Sequence, residues 1–298
     1  MDHEPTWVPH RNAVRRRAGT PATSVATPLR RIPVTVAGYV DLHAHVLPGI
    51  DDGPSDAEGA LAMLRAARAA GIETIAATPH LRSDFPDVHA DELARRCGAL
   101  REATADDGID IRIVSGAEVS LVWALEASDD QLALATYDQR GTDLLIETPT
   151  FNVVGLERLL YQLRTKGLRV TLAHPERNVE FQHDPRRLID LARQGVLLQV
   201  NAETLLDKAR RSDGDRLARY LCAQGLVHAL ASDGHRAAVW RPVTCLAEVA
   251  PAAVALVGPE RALWMMQTAP AAVVAGAEIP GAPQLPTGRQ RSRLLRRR

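Results

Sequence analysis

The amino-acid sequence of 298 residues predicts an α/β domain built as a barrel of parallel strands. Short apolar segments alternate with longer amphipathic segments, a pattern typical of strands that alternate with helices. Polar side chains able to bind metal ions follow almost every predicted strand. The carboxyl ends of the strands in such a barrel form one rim, where active sites assemble. Seven strands with their helices over about 230 residues fit one domain and require no second one.

The predicted strands are short runs rich in Val, Ile, Leu and Ala. They lie at residues 37–42, 74–77, 111–115, 144–146, 169–173, 196–200 and 227–231. Aromatic residues make up only 4% of the chain, so aliphatic side chains and alanine must fill the core between strands and helices. Fully buried parallel strands are expected to consist of such apolar runs, because helices cover the sheet.

The predicted helices lie at residues 57–70, 90–104, 154–166, 185–193, 215–224, 242–249 and 260–266. Asp56 is placed to cap the first of them, and Pro185 stands in the first turn of the fourth, where proline is well tolerated. Glycine is favoured just past a helix, because it adopts positive φ without a steric penalty. Glycines follow four of the predicted helices, at Gly71, Gly167, Gly195 and Gly225.

Both ends of the chain differ from its middle in charge and composition. Residues 1–32 carry a net charge of +4 and residues 289–298 carry +6, which leaves −10 for residues 33–288 of a chain with zero net charge. Both ends contain several prolines and no apolar periodicity. We therefore predict disordered basic extensions at residues 1–36 and 277–298 around a barrel at residues 37–276. Arginine clusters of this kind are suited to weak contact with anionic surfaces.

Several classes of protein are disfavoured by the composition. Three cysteines are too few for a disulfide scaffold and fit a reducing, cytoplasmic compartment. No apolar run is long enough for a transmembrane helix, and the N-terminus has no apolar segment typical of a secretory signal. No glycine-rich phosphate loop is present. None of Cys97, Cys222 and Cys245 has an arginine six residues later, so a cysteine phosphatase loop is absent.

The residues that follow the predicted strands favour a metal centre. His43 and His45 are two residues apart in an extended segment and therefore point to the same side, and Asp233 and His235 repeat this spacing. Imidazole and carboxylate ligands suit Zn²⁺, Mn²⁺ or Fe²⁺ better than Ca²⁺ or Mg²⁺. The number of candidate ligands predicts two or three ions. These candidates are His43, His45, Asp52, His80, Glu118, Glu147, His174, Asp233 and His235.

The same segments resemble the PHP (polymerase and histidinol phosphatase) superfamily of metal-dependent phosphoesterases, over about 39–271. The opening segment DLHAHVLPGIDDG at residues 41–53 is similar to that of the bacterial protein-tyrosine phosphatases linked to capsule and exopolysaccharide synthesis. The segments GAE at 116–118, AHPER at 173–177 and ASDGH at 231–235 fit the same group. Residues 81–88, which border the expected pocket, depart from its pattern. The resemblance implies a distorted (β/α)₇ barrel and a tyrosine phosphatase activity.

The resemblance also implies the role of each residue. His43, His45, Glu118 and Asp233 would hold a first ion. Glu118 would bridge to a second ion bound by Glu147 and His174, and a third ion would be held by Asp52, His80 and His235. Manganese is the ion expected, with zinc or iron as alternatives. Arg177 and Arg241 match arginines that bind the substrate phosphate. The implied partner is a bacterial tyrosine kinase that carries the phosphotyrosine.

Two alternatives remain open from the sequence. The first is a phosphatase of the same superfamily that acts on histidinol phosphate or another small molecule. The second is a metal-binding module without catalytic activity, attached to a membrane or a nucleic acid through its arginine-rich ends. Activity on small substrates would distinguish the first alternative, and salt-sensitive binding without hydrolysis would indicate the second.

Overall fold

A computed structural model describes residues 38–151, 154–206 and 212–286 of the chain. The whole predicted N-terminal extension at residues 1–36 and the arginine-rich residues 289–298 lie outside this part. Nine strands are assigned within it. They are β1 (Tyr39–Ala44), β2 (Ile72–Ala77), β3 (His80–Leu81), β4 (Arg112–Ser115), β5 (Glu118–Val119), β6 (Asp143–Glu147), β7 (Arg169–Ala173), β8 (Leu197–Asn201) and β9 (Ala229–Ala231).

The strands form two parallel sheets that together make a seven-membered barrel. One sheet has the order β1-β2-β4, and the other has the order β3-β5-β6-β7-β8-β9. β3 continues β2, and β5 continues β4, on the far side of short irregular segments. Two backbone hydrogen bonds close the barrel between its first and last strands. The N–H of Asp233 donates to the carbonyl of His43 (2.9 Å), and the N–H of His45 donates to the carbonyl of Gly234 (2.9 Å). The predicted parallel barrel of seven members is confirmed.

Twelve helices surround the barrel in the part of the chain that the structure describes. They are α1 (Ala57–Ala69), α2 (Leu93–Asp106), α3 (Leu121–Glu126), α4 (Asp129–Ala135), α5 (Leu156–Thr165), α6 (Val179–His183), α7 (Arg186–Arg193), α8 (Asp213–Ala223), α9 (Cys245–Glu248), α10 (Ala250–Val257), α11 (Pro259–Leu263) and α12 (Ala269–Val274), with a π-helical turn at Trp264–Thr268. None of these helices is long and apolar enough to span a membrane.

Each predicted strand and helix corresponds to an element of the structure; the strand predicted at 169–173 has the same bounds as β7, and the others have shifted ends. The largest differences are at the helix predicted for 242–249, of which only Cys245–Glu248 is α-helical, and at Ala90–Glu92, which is a 3₁₀ turn ahead of α2. The carboxylate of Asp56 accepts from the backbone N–H of Gly59 (2.8 Å), which confirms the cap. The four glycines that follow helices have positive φ, between 72° and 94°.

The interior of the barrel has an apolar lower half and a polar rim. Leu145, Ala173 and Leu197 point inward, and the alternate residues Leu144 and Leu198 pack outward against the helices. Three residues of α12 join the inner cluster and close the base of the barrel, at the amino ends of the strands: Ala271, Val273 and Val274. The apolar base leaves the opposite end of the interior for polar side chains.

Residues 277–286, which the sequence assigned to the C-terminal tail, contact the base of the barrel. Arg169 Nη1 donates to the carbonyl of Ala277 (2.8 Å), and the indole N–H of Trp264 donates to the carbonyl of Pro280 (2.9 Å). Leu285 lies against Gly225. The domain therefore continues past the predicted boundary at residue 276, because main-chain carbonyls and one leucine of this segment find partners there.

Candidate metal centre

The structure brings all nine predicted ligands together at the carboxyl rim. The potential ligand atoms form four overlapping groups, each with its atoms within 4.8 Å of one another, and every predicted ligand belongs to at least one group. Seven of the nine residues are buried, with Asp52 and Glu147 partly exposed. β1 contributes His43 and leads into His45, β3 begins with His80, β5 begins with Glu118, and β6 ends with Glu147. Asp52 lies in the segment between β1 and α1, His174 follows β7, and Asp233 and His235 follow β9.

Backbone irregularities aim three of these side chains into the rim. The pairing of β1 with β2 shifts between Asp41 and Ala44, and bulges of this kind commonly re-aim side chains beside active sites. His174 directly after β7 and Asp233 after β9 have positive φ values of 35° and 49°. Residues other than glycine adopt this conformation rarely, and those that do cluster at functional sites. The strand ends are therefore shaped for the cluster at some local cost.

Four of the residues surround one point. Glu118 Oε2 lies 3.4 Å from His43 Nε2 and 3.4 Å from His45 Nε2. Asp233 Oδ1 lies 3.5 Å from each of the same two nitrogens. Neighbouring ligands at about 2.1 Å from a common ion are separated from one another by about 3.0–3.4 Å. These four distances between carboxylate oxygens and imidazole nitrogens are compatible with one ion held by the four residues.

A second set lies beside the first. Asp52 Oδ1 is 3.0 Å from His235 Nε2 and 3.5 Å from His80 Nε2, so the three ligands predicted for the third ion are adjacent. Glu118 connects the sets, because its Oε2 lies 2.9 Å from His80 Nδ1 and its Oε1 lies 2.7 Å from His174 Nε2. Glu147 groups with His80 and Glu118, and its Oε1 accepts from Arg82 Nη1 (2.8 Å). His174 and Glu147 thus lie on different sides of Glu118.

Unpartnered polar atoms show that the cluster fits a cation. Buried atoms without a hydrogen-bond partner cost about 1–3 kcal/mol each, so native structures contain few of them. Seven of those in the described residues belong to predicted ligands. They are His43 Nε2, His45 Nε2, His80 Nδ1, His174 Nδ1, Asp52 Oδ1, Glu118 Oε2 and Asp233 Oδ1. A set of imidazole and carboxylate atoms of this kind suits divalent transition metals.

Partners on the opposite ring nitrogen orient the histidines. His43 Nδ1 lies 3.0 Å from Gln199 Oε1, and His45 Nδ1 lies 2.7 Å from Asp51 Oδ2. His235 Nδ1 lies 2.8 Å from the carbonyl oxygen of Asp233. Each contact places an N–H on Nδ1 and leaves Nε2 without a proton, which is the form of a ligating histidine.

Two buried amides of β8, which were not predicted as site residues, support the ligands from below. The amide of Gln199 donates to Asn201 Oδ1 (2.9 Å), and Asn201 Nδ2 donates to Asp233 Oδ2 (2.7 Å). Both residues are buried and face the interior two positions apart. Two amides at this spacing on an otherwise apolar strand could have predicted that both side chains point toward the site. Asp51 was harder to separate from its neighbour Asp52, because their acidic side chains are consecutive.

The two predicted phosphate-binding arginines meet at one carboxylate oxygen. Arg177 Nη1 donates to Asp233 Oδ2 (3.3 Å), and Arg241 Nη2 donates to the same atom. Arg241 Nη1 also lies 3.0 Å from His235 Nε2. The side chain of Arg177 is 47% exposed, so it retains donors toward the solvent side of the rim. Guanidinium groups that converge beside a metal cluster can bind a phosphate with several parallel hydrogen bonds.

The electrostatics of the cluster keep its carboxylates charged. Burial opposes charge on Glu118, but the imidazoles of His43, His80 and His174 lower its pKa well below the ordinary value. The pKa of Asp233 is also lowered despite burial, chiefly by His43. Burial disfavours the charged imidazoles as well, but carboxylates raise the pKa of His43 and of His45. Protons and metal ions therefore compete for the same nitrogen atoms.

His235 differs from the other ligands in its protonation. Burial and the neighbouring imidazole of His45 lower its pKa to about 4, in spite of the nearby Asp52. This histidine is therefore neutral at physiological pH, which is the state that binds a metal ion.

The fold and the site together define a metal-dependent hydrolase of the α/β barrel type. The match to a family model is more specific. The chain belongs to the CpsB/CapC family of capsular polysaccharide synthesis, whose model matches residues 39–252.

Individual relatives agree with this assignment. YwqE of Bacillus subtilis, a tyrosine-protein phosphatase, is 30% identical over 200 residues, which cover 66% of this chain and 77% of YwqE. CpsB of Streptococcus pneumoniae, also a tyrosine-protein phosphatase, is 26% identical over 210 residues, which cover 66% of this chain and 82% of CpsB. One solved structure from a study of YwqE and CpsB as metal-dependent tyrosine phosphatases matches with a TM-score of 0.67 and 25% identity. It covers 83% of this chain and 99% of its own.

Proposed function

We propose that this chain is a metal-dependent protein-tyrosine phosphatase that acts in the regulation of capsule or exopolysaccharide synthesis. The observation that supports it most directly is the convergence of nine metal-type ligands with two arginines on one rim. The relatives YwqE and CpsB are tyrosine-protein phosphatases, which supports the same substrate class.

We assign two to three divalent ions to the cluster, with manganese expected and zinc or iron as alternatives. The first ion is assigned to His43, His45, Glu118 and Asp233, whose carboxylate oxygens lie 3.4 to 3.5 Å from the two imidazole nitrogens. The family resemblance assigns Glu118, Glu147 and His174 to the second ion and Asp52, His80 and His235 to the third. In this structure Glu147 groups with His80 and Glu118, and His174 groups with His43 and Glu118. Ions held in this way supply a nucleophile at neutral pH and neutralise the oxygens of a phosphoryl group.

The residues of the chain have separate tasks in this proposal. The carboxylate of Glu118 contacts the rings of four histidines and thereby connects the ion sites. Arg177 and Arg241 bind the phosphate oxygens and neutralise charge that develops during in-line displacement. Gln199 and Asn201 fix His43 and Asp233 in place, so that the ligands need little rearrangement when substrate enters. A phenol is also a better leaving group than an alkyl alcohol, since its pKa is about 10.

A cysteine nucleophile does not fit this chain. Cys97, Cys222 and Cys245 are all buried and unpaired. Burial raises the pKa of Cys97 and of Cys222 to about 12, and raises that of Cys245 as well. Nucleophilic cysteines have lowered pKa values, so these three are structural. Unpaired buried thiols also support our inference of a reducing, cytoplasmic compartment.

The proposed macromolecular substrate is a bacterial tyrosine kinase that carries phosphotyrosine. Its identity rests on the family assignment and not on any residue described above. A phosphotyrosyl peptide is therefore the first substrate to test.

The test measures initial rates on a phosphotyrosyl peptide before and after removal of metal with a chelator, and again after addition of Mn²⁺. We expect activity that disappears with the chelator and returns with the ion. Histidinol phosphate, measured in parallel, examines the alternative small-molecule activity. A clear preference for histidinol phosphate would show that the substrate is this small molecule and not phosphotyrosine. Inactivity on both substrates with metal bound would refute the proposal.

The variant His43→Ala should lose bound metal and nearly all turnover. His89→Ala is the matched control, because His89 is exposed and belongs to none of the ligand groups. Full turnover of His43→Ala with metal retained would show that the site is assigned to the wrong residues.

A further inference from the structure

The segment from Arg236 to Pro242 forms a tight loop directly after the ligand His235. The backbone N–H of His235 donates to the carbonyl of Arg241 (2.9 Å), and that of Val243 donates to Arg236 (3.0 Å). Arg236 Nη1 donates to the carbonyls of Asp52 (2.9 Å) and Gly53 (2.7 Å). The loop is thus fixed to the barrel at its base and to the segment that carries the ligand Asp52.

The tip of this loop has an unusual backbone. Val239, Trp240 and Arg241 have φ values of 59°, 29° and 54°. Side-chain-bearing residues enter this region as single residues, and a run of three is unfavourable. Strain of this kind persists only where the surrounding structure imposes it, and it is concentrated at ligand-binding sites. The anchors at the base of the loop impose it here.

The strained tip presents a large aromatic side chain beside the proposed phosphate site. Trp240 is 59% exposed. Its ring centroid lies 5.6 Å from the guanidinium carbon of Arg241 and 5.7 Å from the ring of His235, which it meets edge-on. Exposure of a tryptophan is costly in water, because its large apolar surface favours burial. The exposed indole therefore lies directly beside two groups of the site.

A cavity of about 900 Å³ provides the space for that ligand. Arg177 and Arg241 line it together with Trp240, and the first turn of α8 forms its far side. A phosphate bound by the two arginines would therefore have Trp240 as its only large aromatic neighbour among the residues that line this cavity. A group attached to such a phosphate and extending into this cavity would have the indole within reach.

We propose that Trp240 recognises the phenyl ring of phosphotyrosine and sets the preference of the enzyme for aromatic phosphomonoesters. This inference rests on the proposed function. Aromatic rings pair favourably at centroid distances of about 4.5–7 Å. The ring of phosphotyrosine is attached directly to the phosphoryl oxygen, so it comes within reach of Trp240 when Arg241 holds the phosphate. A phosphorylated serine or threonine brings no ring and gains nothing from the indole.

The test compares Trp240→Ala and Trp240→Phe with the wild-type enzyme loaded with Mn²⁺. Two quantities are measured: kcat/KM for a phosphotyrosyl peptide, and the inhibition constant of inorganic phosphate, a ligand without a ring. We expect Trp240→Ala to lower kcat/KM by about 3- to 10-fold, the size of one aromatic pair. The inhibition constant of phosphate should stay unchanged, and Trp240→Phe should recover most of the loss.

Val239→Ala is the matched control, because Val239 has the same left-handed backbone, is 84% exposed and does not line the cavity. It should behave as the wild type. If Trp240→Ala weakened phosphate and the peptide equally, Trp240 would act by positioning Arg241 and the proposal would be overturned. Unchanged kcat/KM in Trp240→Ala would overturn it too. A wild-type enzyme without metal-dependent activity on phosphotyrosine would instead refute the proposed function, and this inference with it.

Discussion

Single side chains beneath the rim determine how well the ligands are oriented. Gln199 accepts from His43 Nδ1, contacts the backbone N–H of His174 (3.2 Å) and donates to Asn201. One buried amide therefore fixes groups on three strands. Its oxygen accepts from both His43 and His174, and its nitrogen donates to Asn201. Loss of this residue would leave several polar groups without partners.

We expect Gln199→Leu to weaken metal binding by about 10- to 100-fold, the usual effect of losing a partner behind a ligating histidine. Isothermal titration of the metal-free protein with Mn²⁺ measures this change. Gln194→Leu, at the exposed end of α7, is the control and should bind as the wild type. Equal affinity of Gln199→Leu and wild type would mean that His43 is oriented by other contacts.

His228 lies outside the metal centre and links stability to pH. Its Nδ1 accepts from the backbone N–H of Leu198 (3.2 Å), and its ring packs near Trp264. Burial, helped by the charge of Arg261, lowers its pKa to about 4. In the unfolded chain the imidazole of His228 has a pKa near 6.5, so it binds a proton more readily than in the folded protein. The stability that depends on a neutral His228 is therefore fully present above pH 6.5. It is lost as the pH falls toward 4, because protons then favour the unfolded chain.

Between pH 7 and pH 4 the protonation of His228 should lower the free energy of unfolding by about 2–3 kcal/mol, since one unit of pKa difference corresponds to about 1.36 kcal/mol. His228→Asn keeps an acceptor near the position of Nδ1 and does not titrate. Urea denaturation at several pH values should give a flatter dependence for this variant than for wild type. His89→Asn, at an exposed position, should follow the wild-type curve. Parallel curves for His228→Asn and wild type would contradict the assignment.

At the scale of secondary structure, the distortion of the barrel has a local cause. β2 and β3 are separated by Thr78 and Pro79, and β4 and β5 by Gly116 and Ala117. Pro79 has no N–H for the sheet, and prolines inside strands mark irregularities of this kind. The ring of Tyr137 occupies the space beside Gly116, and its hydroxyl donates to the carbonyl of Leu42 (2.9 Å). The two sheets therefore separate where an aromatic ring enters the interior.

Gly116→Ala should destabilise the protein by about 1–3 kcal/mol, the usual cost of overpacking. The added Cβ would lie 2.9 Å from a ring carbon of Tyr137, and the hydrogen bond of the tyrosine prevents the ring from moving away. Gly98→Ala is the matched substitution, since nothing lies within 4 Å of its Cβ and it stands within α2. It should stabilise the protein by about 0.5–1 kcal/mol. Denaturant unfolding of both variants measures the contrast.

The sequence predicted the long periodic elements and the candidate ligands, and missed elements shorter than its patterns can show. The two-residue strands β3 and β5 carry no detectable alternation, so they depend on the barrel for their existence. The ligands at 43, 45, 233 and 235 were predictable, because period-two spacing applies at strand ends. The grouping of Glu147 with His80 rather than with His174 depends on distances across the rim, which no local pattern contains.

At the scale of the whole molecule, the candidate metal centre connects strands from both ends of the domain. Its ligands extend from His43 to His235 and come from nearly every member of the barrel. An ion that binds only the folded chain stabilises it through mass action. Because the separate segments meet only after folding, metal binding and folding should be strongly coupled.

Mn²⁺ at a hundred times its dissociation constant should raise stability by about 2.7 kcal/mol for each site. For a domain of this size that corresponds to a Tm increase of about 5–10 °C. Calorimetry of chelated and reloaded protein measures it, and His43→Ala should show a much smaller increase. The increase should shrink at acid pH, because the raised pKa values of His43 and His45 favour protons over metal. An identical Tm with and without the ion would contradict the coupling.

The position of residues 277–286 determines the orientation of the metal-ligand rim when the domain is tethered through this segment. Its contacts with Arg169 and Trp264 hold it at the base, opposite the rim. A tether fused after residue 286 would therefore leave from the side away from the ligands. An enzyme immobilised in this manner presents its open mouth outward, where even a bulky phosphorylated protein can approach it without obstruction.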